Sequence, residues 1–458
     1  MPPKRRQNRP PDPEPPRPTS PSPDRDQSPQ DEDDDESFAH APLPFYNTTF
    51  SAHRVSPLYL GSEPLTAIRL QLLAQRLRDR LVGDVVRGVQ VGVAGDGRDA
   101  IIGRAGALEM VEVSLVSVAD VLDLSAEDVE TLGGGGEDNE EDTTDLRRLA
   151  AQLPGKKALH ISLRYELASC TALMLPPLAE RGETAAADDN MEWEHSVNPT
   201  HFLRLPLLLL RMPAPLKTII GDFLSTTFDC RVSAMRLGTR SLVCSWEAWI
   251  QSAGLPARGP LAKDTVLSLG FHVPPQLGKS SSTAAAPSEE VAATVDHQQT
   301  QLSLGLKSID VIIPAAELKK FVTAGKRLAD KQTASPAGSG WGWEEDVKKR
   351  RKLAGRLYEE GWEWRTPPKE GVSPEQYPFT EALACYLKEH LGLNLFHPGV
   401  RVVKIACGGF VMSETRLKLF APGRLGEGEG LSLLAHRGAV LGLIGRLLEK
   451  ALVQSVAV

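Results

Sequence analysis

The sequence predicts an α+β protein, a mainly antiparallel β-sheet with helices, behind a disordered N-terminal tail over 1–44. Three observations support this. Residues 159–167 alternate, Leu159, Ile161, Leu163, Tyr165 and Leu167 against His160, Ser162, Arg164 and Glu166. That is the pattern of a strand with one wet face, which antiparallel sheets allow. Strand-like runs also come in groups with helical segments between them, which argues against a doubly wound parallel sheet. Finally, 13 of the 35 prolines fall in the first 44 of 458 residues, where there is too little apolar surface to offset the entropy of ordering.

The ordered body begins at Phe45, and its N-terminal part is expected over 45–275. Leu70, Leu73, Leu77 and Leu81 recur at helical spacing, with Gly83 placed to end that helix. β-rich runs follow at 85–93 and 108–118. Leu216, Ile219, Ile220, Phe223 and Leu224 mark another helix, with Pro213 and Pro215 at its start. Runs at 232–237 and 241–246 read as strands pairing across Gly238 and Thr239, and 265–273 as a further strand. A low-complexity insert, 276–301, leads to the C-terminal part, 302–458. There the pattern predicts a strand at 302–313, helices at 315–328 and 380–391, and strands at 400–406 and 410–419 joined by Cys407, Gly408 and Gly409. The last helix places Val440, Leu441, Ile444, Leu447, Leu448, Ala451 and Leu452 on one face. The order helix, strand, strand recurs at 65–118 and 380–420, without a residue-level repeat.

Composition narrows the function classes. A chain with 41% hydrophobic and 24% charged residues and a net charge of −7 is not collagen-like, a disulfide miniprotein or a basic nucleic-acid coat. The five cysteines (Cys170, Cys230, Cys244, Cys385, Cys407) are scattered, form no CxxC pair and suit a reducing compartment. The greasiest run, 205–210, contains Pro206 and is far short of the ~20 residues that span a bilayer. A soluble, intracellular protein without membrane attachment is expected.

The tail carries two candidate regulatory features. Lys4, Arg5 and Arg6 after Pro3 match a short nuclear-import signal, since a basic cluster can enter an acidic receptor groove. Ser20, Ser22 and Ser28 each precede proline, the minimal site of proline-directed kinases, and phosphate there would add about −2 each beside the acidic run 31–36. Within the body, 127–145 holds nine acidic residues around four consecutive glycines and is read as a mobile acidic loop.

Motifs with chemistry are few. Gly278-Lys279-Ser280 fails as a phosphate-binding loop, because Val273 stands where glycine is needed and Pro274 and Pro275 have no N–H to donate. Gly95-Asp96-Gly97 lacks the third glycine of a dinucleotide fingerprint and reads as a turn. His195 and His201 have no spacing of a metal pair. No cofactor, metal or catalytic group is expected, and the protein is read as non-enzymatic. The most unusual window is 341–364, where Trp341, Trp343, Trp362 and Trp364, four of the seven tryptophans, bracket Lys348, Lys349, Arg350, Arg351 and Lys352. A phosphate-binding helix or second import signal is one reading. A charged helix anchored by tryptophan at each end is the other, favoured by the flanking acids and the helix dipole.

Phe45-Tyr46-Asn47-Thr48-Thr49-Phe50, followed by His53-Arg54-Val55-Ser56-Pro57-Leu58, resembles the opening of fungal CENP-L proteins. So do Leu81-Val82-Gly83-Asp84-Val85-Val86-Arg87-Gly88-Val89 and Phe396-His397-Pro398-Gly399-Val400-Arg401-Val402, with Cys407-Gly408-Gly409-Phe410 beyond. CENP-L proteins are inner-kinetochore subunits of the constitutive centromere-associated network. The resemblance implies a curved, mainly antiparallel sheet backed by helices, no catalytic residues, and pairing with a CENP-N-like subunit through the C-terminal region, with homodimers in some members. It further implies a role in kinetochore assembly and chromosome segregation at centromeric chromatin. The strands near 400–420 and the last helix are expected to form the partner-facing surface, with a sheet edge open for strand addition. The alternative is a sheet-based nucleic-acid-binding chromatin factor using the basic helix 348–352, with any nucleic-acid contact local to it.

Overall fold

A computed structural model describes residues 45–86, 106–134, 141–178, 201–255, 261–272, 306–332, 346–355, 361–365, 377–421 and 430–456. In chain order it begins with β1 (Thr49–Val55), β2 (Leu58–Tyr59), α1 (Ala67–Val86), β3 (Leu108–Ser117), α2 (Val118–Val121), α3 (Ala126–Gly134) and α4 (Glu141–Gln152). Next come β4 (Lys157–Tyr165), β5 (Ser169–Leu175), β6 (Phe202–Leu203), β7 (Leu207–Arg211), α5 (Ala214–Phe228), β8 (Val232–Ala234) and α6 (Thr239–Ala253). The chain continues with β9 (Thr265–Phe271), β10 (Ser308–Ile313), α7 (Ala315–Gln332), α8 (Val347–Ala354) and α9 (Pro378–Leu391). It closes with β11 (Val400–Ala406), β12 (Phe410–Ser413), β13 (Arg416–Leu419) and α10 (Gly430–Val456).

Among the described residues, one 11-stranded sheet runs β10-β9-β11-β12-β13-β1-β7-β5-β4-β3, with β8 also on β1, and β2 pairs separately with β6. Every pairing is antiparallel, so the α+β, mainly antiparallel expectation holds. The two faces of this sheet are unlike. On one, Phe50, Leu209, Leu269, Ile405, Phe410 and Leu417 join Trp246, Phe379 and Ile444 of α6, α9 and α10 in a continuous core. On the other face, a second core is built from α1, α5 and strands such as β4 and β5, and it contains no residue of β9 to β13. Over those strands the face carries Lys404, Arg416 and Ile312, all exposed.

Several local expectations change. Gly83 lies inside α1 rather than at its end, because burial of Leu77 and Leu81 outweighs the ~1 kcal/mol a mid-helix glycine costs. The run 85–93 starts as the last turn of α1, and its remainder lies outside the described residues, as do residues 95–97 and 278–280. The polar face of β4 is wet only at its far end: Arg164 is exposed, but His160 is buried, and Leu167 lies beyond the strand and is exposed. The run 241–246 is helical. Leu242, Val243, Trp246, Trp249 and Ile250 follow a helical repeat over the 15 residues of α6, and all are buried. The run 410–419 breaks into β12 and β13, where the Glu414 and Thr415 carbonyls accept from Leu237 N and Ala52 N.

The acidic stretch 127–145 is largely helical rather than a loop, since α3 and α4 cover all of it except 135–140, which lie outside the described residues. Leu132, Leu146 and Leu149 sit where a Cβ on Gly438, Gly442 and Gly445 of α10 would point, so glycines let these helices approach closely. Arg437 of α10 ties the arrangement together, bridging Asp128 and, at 3.1 Å, Asp123. Burial pushes the Asp128 carboxyl up, but Ser125 and Arg437 outweigh it and hold the group below its usual 3.8. Stability from this pair is therefore present above 3.8 and lost as pH falls through the lowered folded value. Arg437→Ala should cost about 1–3 kcal/mol at neutral pH and much less near about pH 2, read by thermal melts at both. Equal losses at the two pH values would contradict the pairing.

Candidate interaction surfaces

The basic window forms α8. Asp346 caps it, its carboxylate accepting from Lys348 N at 2.9 Å and Lys349 N at 3.2 Å, which satisfies two amides that a helix start leaves open. Lys348, Lys349, Arg351 and Lys352 are exposed, while Arg350 turns inward to pair with Glu363 at 3.3 Å. The far end is fixed to the sheet, where Arg401 of β11 donates to the Ala354 carbonyl. Trp362 is buried edge-on against Phe396 at 5.0 Å, and Trp364 meets Tyr377 at 5.1 Å. Arg365 lies 3.6 Å over Phe396 and pairs with Glu381. Tryptophan anchoring thus holds on the C-terminal side, whereas Trp341 and Trp343 lie outside the described residues. So do Lys4, Arg5, Arg6, Ser20, Ser22 and Ser28.

The sheet edges are not where the sequence placed them. β11 is hydrogen-bonded on both sides, to β9 and β12, and β13 to β12 and β1. The hairpin near 400–420 is interior, and α10 is buried over most of its circumference from Ala439 to Ala451. Among the described residues the terminal strands are β3 and β10. β10 has Ile312 63% exposed on its face and Leu306 60% exposed just before it, with no lysine or proline in the strand. Its one charge, Asp310, is tied to Ser268 of β9. Charge, proline or bulges normally guard such an edge.

A cavity of about 30 Å³ lies between α6, the start of β9 and the β11–β12 turn, lined by Trp246, Trp249, Thr265, Cys407 and His436 among others. Burial drives the Cys407 thiol up to about 12 and pushes the His436 imidazole down, its Nε2 lying 3.0 Å from the Phe420 carbonyl. These are the electrostatics of a closed core, in which neither group is ionised at neutral pH. Among the described residues no three His, Cys, Asp or Glu side chains gather to hold a metal, and no helix is long and apolar enough to cross a membrane. His201 is described and His195 is not.

The fold and these surfaces define an α+β protein organised around one large antiparallel sheet, with an open strand edge and a tethered basic helix on its outside. The chain matches the family described as CENP-L, Centromere protein L, over residues 44–452. It belongs to the CENP-L family, and is thus a centromere protein and kinetochore subunit, which places it in the nucleus. No curated protein matches the chain.

Proposed function

We propose that the chain is a non-enzymatic structural subunit of the inner kinetochore that pairs with a CENP-N-like partner and supports chromosome segregation. Family membership over nearly the whole body supports the assignment. The observation that carries the pairing is the β10 edge, the end of the sheet among the described residues, with Ile312 and Leu306 exposed beside it. A partner strand added there gains main-chain hydrogen bonds and covers both side chains. Residues 302–458 include β10 but not β9, its neighbour in the sheet among the described residues, so the pairing is tested on the full chain.

Co-expression of the full chain with its CENP-N-like partner should give a stable complex, weakened at least about tenfold by Ile312→Asp. Met110→Lys, on the opposite edge, should leave binding unchanged. Loss with Met110→Lys but not Ile312→Asp would move the interface to β3. A tagged chain that stays diffuse in the cytoplasm through the cell cycle would contradict the kinetochore role.

A further inference from the structure

The open half of the sheet face gathers cations from three elements. Strand register puts Thr49, Ser51 and His53 of β1 on one face, beside Lys418 and Arg416 of β13, which pair with Thr49 and Ser51. Lys404 of β11 pairs with Ser413 of β12 on the same face. At the other flank, Ser51 and His53 pair with Leu210 and Leu208, whose side chains belong to the core under α5. Lys217 of α5 stands at that border, close enough to His53 and Arg416 for their charges to act on one another. Ser51 Oγ donates to the Leu210 carbonyl at 3.2 Å and lies 3.3 Å from His53 Nε2.

Burial first, then Arg416, lowers the Lys217 ammonium, and burial first, then Lys217, lowers the His53 imidazole. Among the described residues no ion pair joins Lys217, Arg416, Lys418 or Lys404 to a carboxylate. Asp310, an acid on this face, stands in β10, separated from β13 by β9, β11 and β12, and accepts from Ser268 Oγ at 2.6 Å. Cations gathered in this way repel each other, and a dianion between them removes that cost.

We propose that Lys217, Arg416 and Lys418, with His53 beside them, form a binding site for a phosphate monoester carried on a partner's phosphorylated serine or threonine. The cluster is compact, which favours one dianionic group over a backbone that needs an extended row of contacts. The strands β11, β12 and β13 place no aromatic side chain on this face to stack a base. Phe420, just past β13, is already covered by Lys418 at 5.1 Å and Lys263 at 5.2 Å.

The test uses the full chain and a fluorescent peptide, acetyl-Gly-Ala-phosphoserine-Ala-Gly, against its unphosphorylated form, inorganic phosphate and a 20-base-pair duplex. The phosphopeptide should bind, the unphosphorylated one should not, and phosphate should compete. Arg416→Ala and Lys217→Ala should each weaken binding about tenfold without lowering the melting temperature, while Lys352→Ala on α8 leaves binding unchanged. Arg416→Glu should abolish it. Binding of phosphate without the peptide would mean an adventitious ion only. Preference for the duplex, lost in the same variants, would assign the cluster to nucleic acid. Either result overturns the proposal, as does equal binding of the two peptides.

Discussion

Glu247→Ala is expected to unfold the C-terminal half of the body at markedly lower temperature. Glu247 sits on α6, only 4% exposed, and caps the start of α9. Its carboxylate accepts from Thr380 N and Thr380 Oγ1, both at 2.7 Å, and from Phe379 N at 3.4 Å. Truncation leaves those three donors buried without an acceptor, at about 1–3 kcal/mol each, so a total of at least about 3 kcal/mol is expected. Glu247→Gln keeps an acceptor oxygen and should cost about 1 kcal/mol.

The cap also makes a pH prediction. Burial raises the Glu247 carboxyl above its usual 4.5, against the lowering by its hydrogen bonds. A raised folded value means that stability present below 4.5 is lost as pH rises through that value. Glu247→Gln has no such loss, so the gap between it and the native chain should narrow from about pH 4 to about pH 7. Thermal melts across that range decide it. A Glu247→Ala melt indistinguishable from the native one would remove the cap from the account.

Gly325→Ala should be the second damaging change. Gly325 lies where α7 crosses the start of α9, and a Cβ there would overlap the Pro378 carbonyl. The obstacle is backbone, so no rotamer relieves it. Phe321 packs on Phe379 at 5.8 Å and Tyr386 at 5.6 Å, so displacing α9 also opens the aromatic packing between the two helices. Overpacking costs about 1–3 kcal/mol and more against backbone, offset by up to ~1 kcal/mol of helix propensity. A net loss near about 2 kcal/mol is expected. Gly221→Ala in α5 is the contrast: nothing stands within 4 Å of its Cβ, so propensity alone should stabilise it. Denaturant melts giving both variants the same sign would contradict the close approach.

Much of the fold was legible in local pattern. The leucine repeat of α1, the prolines at the start of α5 and the alternation of β4 are each signals carried by neighbouring residues. Errors arose where a short run fits two periods. Ser241 to Trp246 is short and apolar enough to read as a strand, and only the continuation through Trp249 and Ile250 makes the helix evident. The basic helix was legible because its charges are contiguous, whereas the cluster of Lys217, His53, Arg416 and Lys418 was not, since its members come from three separate elements.

By itself, then, the sequence determined the α+β class, most helices and strands, the basic helix and the resemblance that family membership bears out. Tertiary structure alone decided which strands lie at the edges among the described residues, that the 400–420 hairpin is interior, and that no described element covers one half-face of the sheet, where its cations gather. The physical reason is range. Periodicity is set by residues a few positions apart, but strand order and charge clustering depend on partners such as Ser51 and Leu210, 159 positions apart, which nothing local encodes.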